Sequence, residues 1–142
     1  MNDLPLEEET DLIWGRILIA ANAAMEKKAT APVVLDLRKH TAMADYFLIV
    51  TGRSDTQVRA IADGIGESLR HAGVYPLAVE GERHGQWVLL DYGDFVVHSF
   101  YGPTRELYAL ETLWARATVR ELPPEIHDAP EPAEDAPIWP ET

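Results

Sequence analysis

Thr51-Gly52-Arg53-Ser54 stands just before a helical stretch, a turn of the kind at which backbone N–H groups and a helix N-terminus receive a phosphate. Metal-dependent nucleotidyl transfer would also need carboxylates that converge on Mg²⁺. Two aspartates at i and i+2 of a strand share a face, but the nearest pair here, Asp91 and Asp94, stands at i and i+3 across a turn. That spacing suits turn formation, with Asp91 capping its own backbone. The histidines, His40, His71, His84, His98 and His127, never recur at i+3 or i+4, the spacing by which one helix supplies two metal ligands. Serine, histidine and aspartate are present without a Gly-x-Ser-x-Gly elbow, and Gly81, Gly85, Gly93 and Gly102 punctuate turns without forming a phosphate loop. Cysteine is absent, which excludes disulfides, thiolate metal sites and a cysteine nucleophile. The residues favour a binding module over an enzyme, with no cofactor and no metal expected.

Charge narrows the partners. The chain has 142 residues, enough for one domain, with 24 acids against 12 bases and a net charge of −12. Residues 1–11 hold Asp3, Glu7, Glu8, Glu9 and Asp11, and residues 121–142 hold Glu121, Glu125, Asp128, Glu131, Glu134, Asp135 and Glu141; neither stretch has a Lys or Arg. The whole excess therefore belongs to the ends, and the stretch between them is balanced. Such a chain is not expected to hold naked DNA or RNA by counterion release. The acidic start is unlike a secretory signal. The longest apolar run, Leu12 to Met25, contains Arg16 and Asn22 and falls short of the roughly 20 residues of a membrane span. A soluble protein of the reducing cytoplasm is expected. Prolines 123, 124, 130, 132, 137 and 140 crowd the end of the chain. The predicted organisation is an acidic segment 1–11, a folded domain 12–120 and an acidic, proline-rich, disordered tail 121–142.

The elements that must position any site follow from periodicity. Leu12, Ile13, Ile17, Ala20, Ala21, Ala24 and Met25 recur at helical spacing, with Thr10 or Asp11 as a cap and Lys27 and Lys28 suited to the C-terminal dipole. Val33–Leu37 and Tyr46–Thr51 read as strands, the second apolar at every position and hence buried on both faces. Ser54-Asp55-Thr56-Gln57 is a capping box before the stripe Val58, Ile61, Ala62, Ile65, Leu69, ended by Gly73. Tyr75–Glu80, Gln86–Leu90 and Phe95–Phe100 form a predicted antiparallel meander, and Pro103-Thr104 opens a last helix with Leu107, Leu110, Leu113 and Trp114 along one side. The order α-β-β-α-β-β-β-α predicts a mixed α/β fold with five strands and about three helices.

Three helices are few for a sheet with apolar residues on both faces, so some sheet surface is expected to stay uncovered. Trp87 and Leu89 share a parity with Asp91, which aligns an indole, an aliphatic chain and a carboxylate on one face. An indole beside acids suits a docking surface, although spacing alone equally allows Trp87 to be core. His98, within the fifth strand, reads as a satisfied structural histidine.

Several ordered motifs together resemble the ribosomal silencing factor, or Iojap, family. They are Asp45-Tyr46-Phe47-Leu48-Ile49-Val50-Thr51-Gly52, Ser54-Asp55, Val58, Ile61-Ala62-Asp63, Glu80-Gly81, Trp87 to Asp94, Val97-His98, Arg105, Tyr108, Leu110-Glu111 and Leu113-Trp114, spanning about residues 12–116. The resemblance implies a nucleotidyltransferase-like topology without the catalytic carboxylates. It also implies a non-enzymatic factor that binds the large ribosomal subunit through its basic protein fourteen, blocks joining of the small subunit and so represses translation under nutrient limitation. Off the ribosome it implies a homodimer. The residues expected to meet the partner are Trp87, Leu89, Asp91, Tyr92, Asp94 and Glu80, with the apolar pair as anchors and the acids on the rim.

Overall fold

A computed structural model describes residues 4–39, 44–113 and 117–126. The elements run α1 (Leu4–Glu26), β1 (Thr30–Asp36), β2 (Tyr46–Gly52), α2 (Asp55–His71), β3 (Ala78–Glu80), β4 (Trp87–Asp91), β5 (Phe95–Tyr101), α3 (Gly102–Tyr108), α4 (Leu110–Leu113) and β6 (Thr118–Arg120). The strands form one six-stranded sheet in the order β3-β4-β5-β2-β1-β6. β2 pairs with β5 in parallel, while β3-β4-β5 is the antiparallel meander that was expected.

Two ends differ from expectation. α1 begins at Leu4, so Thr10 and Asp11 lie inside the helix rather than at its cap. Pro5 is tolerated in a first turn, where a backbone N–H would have no helical acceptor, so it does not prevent a start at Leu4. At the other end, the polypeptide past residue 120 still contributes to the core: Ile126 is buried and Leu122 packs beside it on the α1 and α2 side of the sheet. Residues 127–142, and with them the expectation of a disordered tail, lie outside the described residues.

α2 forms as its sequence directs. Ser54 Oγ accepts the Gln57 N–H at 3.0 Å, and the Gln57 carboxamide reaches back to accept the Arg53 N–H at 2.6 Å. Val58, Ile61, Ala62, Ile65 and Leu69 are all buried against the sheet. β2 is buried at every position, as its unbroken apolar run demands.

β6 is the strand that the sequence reading lacked. It pairs antiparallel with β1, Val34 opposite Arg120 and Leu35 opposite Val119. Three residues are too short to show an alternation. What holds β6 in place is Arg120, whose guanidinium lies 3.7 Å from the Trp14 ring centroid and donates to Tyr46 Oη at 3.1 Å. The last helix is also not continuous. Ala109 sits at φ 47°, which separates α3 from α4 and leaves Leu107 exposed while Leu110 is buried. The single predicted stripe is thereby broken; Trp114 lies outside the described residues.

The sheet divides the apolar interior into two layers. On one side α1 and α2 cover Val34, Tyr46, Leu48, Val50, Val88, Leu90, Phe95 and Val97. The opposite side carries Leu35, Phe47, Ile49, Val96 and Phe100 under Leu37, Ala44 and Leu110, with Trp87 and Leu89 only partly buried at the margin.

Candidate docking face

β4 alternates as its parity requires. Val88 and Leu90 are buried toward α2, whereas Trp87, Leu89 and Asp91 turn to the other face and stay half-buried. Glu80 lies opposite Leu89 in the β3-β4 ladder, which places this exposed carboxylate on the same face. Gly81, at φ 88°, allows the turn after β3 to pass over the Trp87 carbonyl, where a Cβ would collide with it. The close approach of that loop to the start of β4 thus depends on glycine.

The indole is held on several sides. Its ring centroid lies 4.7 Å from that of Phe100 in a stacked arrangement and 4.8 Å from that of Tyr108. Its Nε1–H donates to His98 Nδ1 at 3.0 Å. Tyr108 reaches it because α3 is tied down. Arg105 Nη1 donates to the Ala31 carbonyl and to Thr51 Oγ1, both at 2.6 Å, and Thr104 Oγ1 bonds Gln86 Oε1 at 3.2 Å.

His98 is 3% exposed, packed against Phe47 with ring centroids 4.5 Å apart and an interplanar angle of 64°. Burial among these rings pushes its pKa down to about 4, so the imidazole is neutral at physiological pH. Because an indole N–H can only donate, Nδ1 is the accepting nitrogen and Nε2 carries the proton. Nε2 finds no hydrogen-bond partner among the described residues. His98 is therefore structural, as expected, but among the described residues only one of its two ring nitrogens is satisfied, not both as expected.

The acids at the end of the hairpin divide in role. Asp91 Oδ1 accepts the Gly93 N–H at 2.8 Å, which is the turn cap expected of it. Asp94 is exposed, and its carbonyl accepts the Asp45 N–H at 2.8 Å. Tyr92, expected beside Trp87, continues the parity of Val88 and Leu90 and so falls on the side of α1 and α2. It is 9% exposed and stacked on Phe95 with centroids 4.9 Å apart. Burial raises its pKa to about 12. The structure thus brings together Trp87, Leu89, Asp91 and Glu80, leaves Asp94 at the adjoining turn, and removes Tyr92 from the face. Three supports were not singled out from residue spacing: His98 as acceptor, Tyr108 as neighbour and Arg105 as the tie of α3. All three belong to the motifs quoted for the family resemblance.

No group of three or more His, Cys, Asp or Glu side chains placed to hold a metal ion occurs among the described residues, and none of their helices is long and apolar enough to cross a membrane.

Known proteins resemble this chain in both sequence and fold. Residues 13–139 match the sequence model of the family described as "Ribosomal silencing factor during starvation". The chain is similar to ribosomal silencing factor RsfS of Bacillus subtilis, 42% identical over 73% of this chain and 88% of that protein. It is similar also to the RsfS of Halalkalibacterium halodurans, 40% identical over 73% and 89%. It resembles the chloroplastic protein Iojap of Zea mays, 37% identical over 72% of this chain and 45% of that protein. Among solved structures, a Chromobacterium violaceum protein superposes with a TM-score of 0.71 at 32% identity, covering 86% of this chain and 96% of that one. A Bacillus halodurans protein gives 0.67 at 38% identity, covering 75% and 96%. With this fold and these matches over most of its length, the chain belongs to the ribosomal silencing factor family.

Proposed function

We propose that this chain binds the large ribosomal subunit through its basic protein fourteen and, by occupying the face where the small subunit joins, represses translation when nutrients are short. The observation that carries the reading is the half-buried Trp87-Leu89 pair on the sheet face away from α1 and α2, with Asp91 and Glu80 on the same face. An indole that loses its remaining water on docking supplies affinity. Carboxylates around it meet a basic partner and set its orientation. Obstruction needs only an occupied interface, so no bond is made or broken and no cofactor is consumed. On this reading the factor works in the cytoplasm, beside its ribosomes, and is a homodimer when free.

Cosedimentation of the full chain with purified large subunits, before and after addition of small subunits, tests the proposal. The expected result is a bound factor and fewer joined ribosomes in proportion to its occupancy. Free passage of the factor past large subunits would refute it, and Mg²⁺-dependent nucleotide turnover would replace it with an enzymatic reading. Sedimentation of the factor alone reports the dimer.

A further inference from the structure

We propose that His98 is a positioning residue for the docking anchor: by accepting the Trp87 indole N–H it holds the ring in the orientation in which the partner meets it, and leaves only the ring, not the N–H, for that partner. The inference rests on the docking reading above.

The geometry supports it from both residues. Trp87 is the half-exposed member of the pair, and an indole at a strand margin has other rotamers within reach unless something retains it. Stacking on Phe100 and contact with Tyr108 restrict the ring, but both are apolar contacts that slide. The 3.0 Å bond to His98 Nδ1 is directional and fixes the ring edge. His98 can serve because it is enclosed. It lies between Phe47 and Phe100, 4.5 Å and 6.1 Å away by ring centroids, and is 3% exposed. Its Nε2–H, without a partner among the described residues, is a cost of placing an imidazole there. An aliphatic side chain would avoid that cost in the same apolar layer; what it would lack is the acceptor at Nδ1.

There is a consequence for the partner. With its one donor already engaged, Trp87 offers an apolar, electron-rich ring face, and the acids nearby favour positive charge. The complementary group is the aliphatic stem or cationic head of a Lys or Arg, rather than a carbonyl oxygen seeking a hydrogen bond.

The test uses the full chain, purified large subunits and ¹⁵N-labelled indoles. His98→Leu is expected to keep a cooperative melt, to shift the Trp87 indole N–H resonance and to weaken large-subunit binding about fivefold, the worth of one hydrogen bond. His98→Asn, which can place an amide oxygen near the position of Nδ1, is expected to restore most of the affinity. In a double-mutant cycle with Trp87→Phe, which also lacks the N–H, the two losses should not add. Unchanged affinity in a folded His98→Leu, or failure of Asn to rescue, would overturn the proposal. Should His98→Leu not fold, His98→Asn against His98→Gln decides it, because Gln extends its amide beyond the Nδ1 position: equal binding by the two contradicts the proposal, and loss with Gln alone upholds it. Trp87→Ala separates this inference from the reading beneath it. If Trp87→Ala binds normally the docking face itself is wrong, whereas if it fails and His98→Leu binds normally only the positioning role is lost.

Discussion

The two faces of the sheet are built from the same strands and differ in what covers them. On the α1 and α2 side, alternate residues of β2, β4 and β5, among them Leu48, Val88, Leu90 and Val97, are buried almost to the last square ångström. The opposite side mixes Trp87, His98, Phe47 and Phe100, and at its β3-β4 margin the cover thins until Trp87 and Leu89 are half-exposed. A face covered by amphipathic helices is specified chiefly by volume and apolarity. An open margin that must stay ordered without a cover is held by rings and a directional hydrogen bond, and it carries acids that would be costly in the other layer. The division teaches that one alternating strand can serve stability with one parity and recognition with the other.

The contrast can be broken most forcefully from the covered side. Leu48→Ala is expected to destabilise the fold by about 3 kcal/mol in a denaturant titration, through lost burial and the cavity left behind. Trp87→Ala should cost less stability than that, and should instead weaken large-subunit binding by about 2 kcal/mol or more. If it proved as destabilising as Leu48→Ala, the two faces would both be core and the contrast would fail.

Acid probes the buried histidine of the open side. Its pKa in the folded protein, about 4, lies below the unfolded value near 6.5, so protons bind the unfolded chain more tightly. The stability tied to neutral His98 is present above about pH 6.5 and is lost progressively as pH falls to about 4, by up to about 3 kcal/mol. Melts of the parent against His98→Leu across that range should show a part of the acid sensitivity that the variant lacks; parallel curves would mean that His98 is more solvated than its burial suggests.

The smallest effect is expected at the rim. Asp91→Lys should weaken large-subunit binding by about 1 kcal/mol and leave the fold intact, with the difference shrinking as salt is added. Tighter binding by this variant would place the basic partner elsewhere.

How much of this was legible depended on range. The capping box of α2, its apolar stripe, the doubly buried β2 and the parity of β4 each follow from residues within one element, and the structure has them as the sequence reading did. β6 and the break at Ala109 were not legible. The first is three residues whose place comes from pairing with β1 and from Arg120 stacking on Trp14, a residue more than a hundred positions earlier in the chain. The second is a left-handed alanine that no local signal marks. Tyr92 was misplaced because the strand parity that excludes it was applied to Trp87, Leu89 and Asp91 but not carried one residue further.

By itself, then, the sequence determined that the chain folds as a mixed α/β domain, that Trp87, Leu89 and Asp91 share a face, and which family its motifs match. Local hydrogen bonding and side-chain periodicity are properties of neighbouring residues and can be read from them directly. Only the tertiary structure decided which parity of β4 faces α2 and which the open margin, how far Trp87 is uncovered, and that its indole N–H meets His98 eleven residues on. Those outcomes depend on strand register and on which helices pack where, and register is set by the summed burial of all strands at once rather than by any one of them.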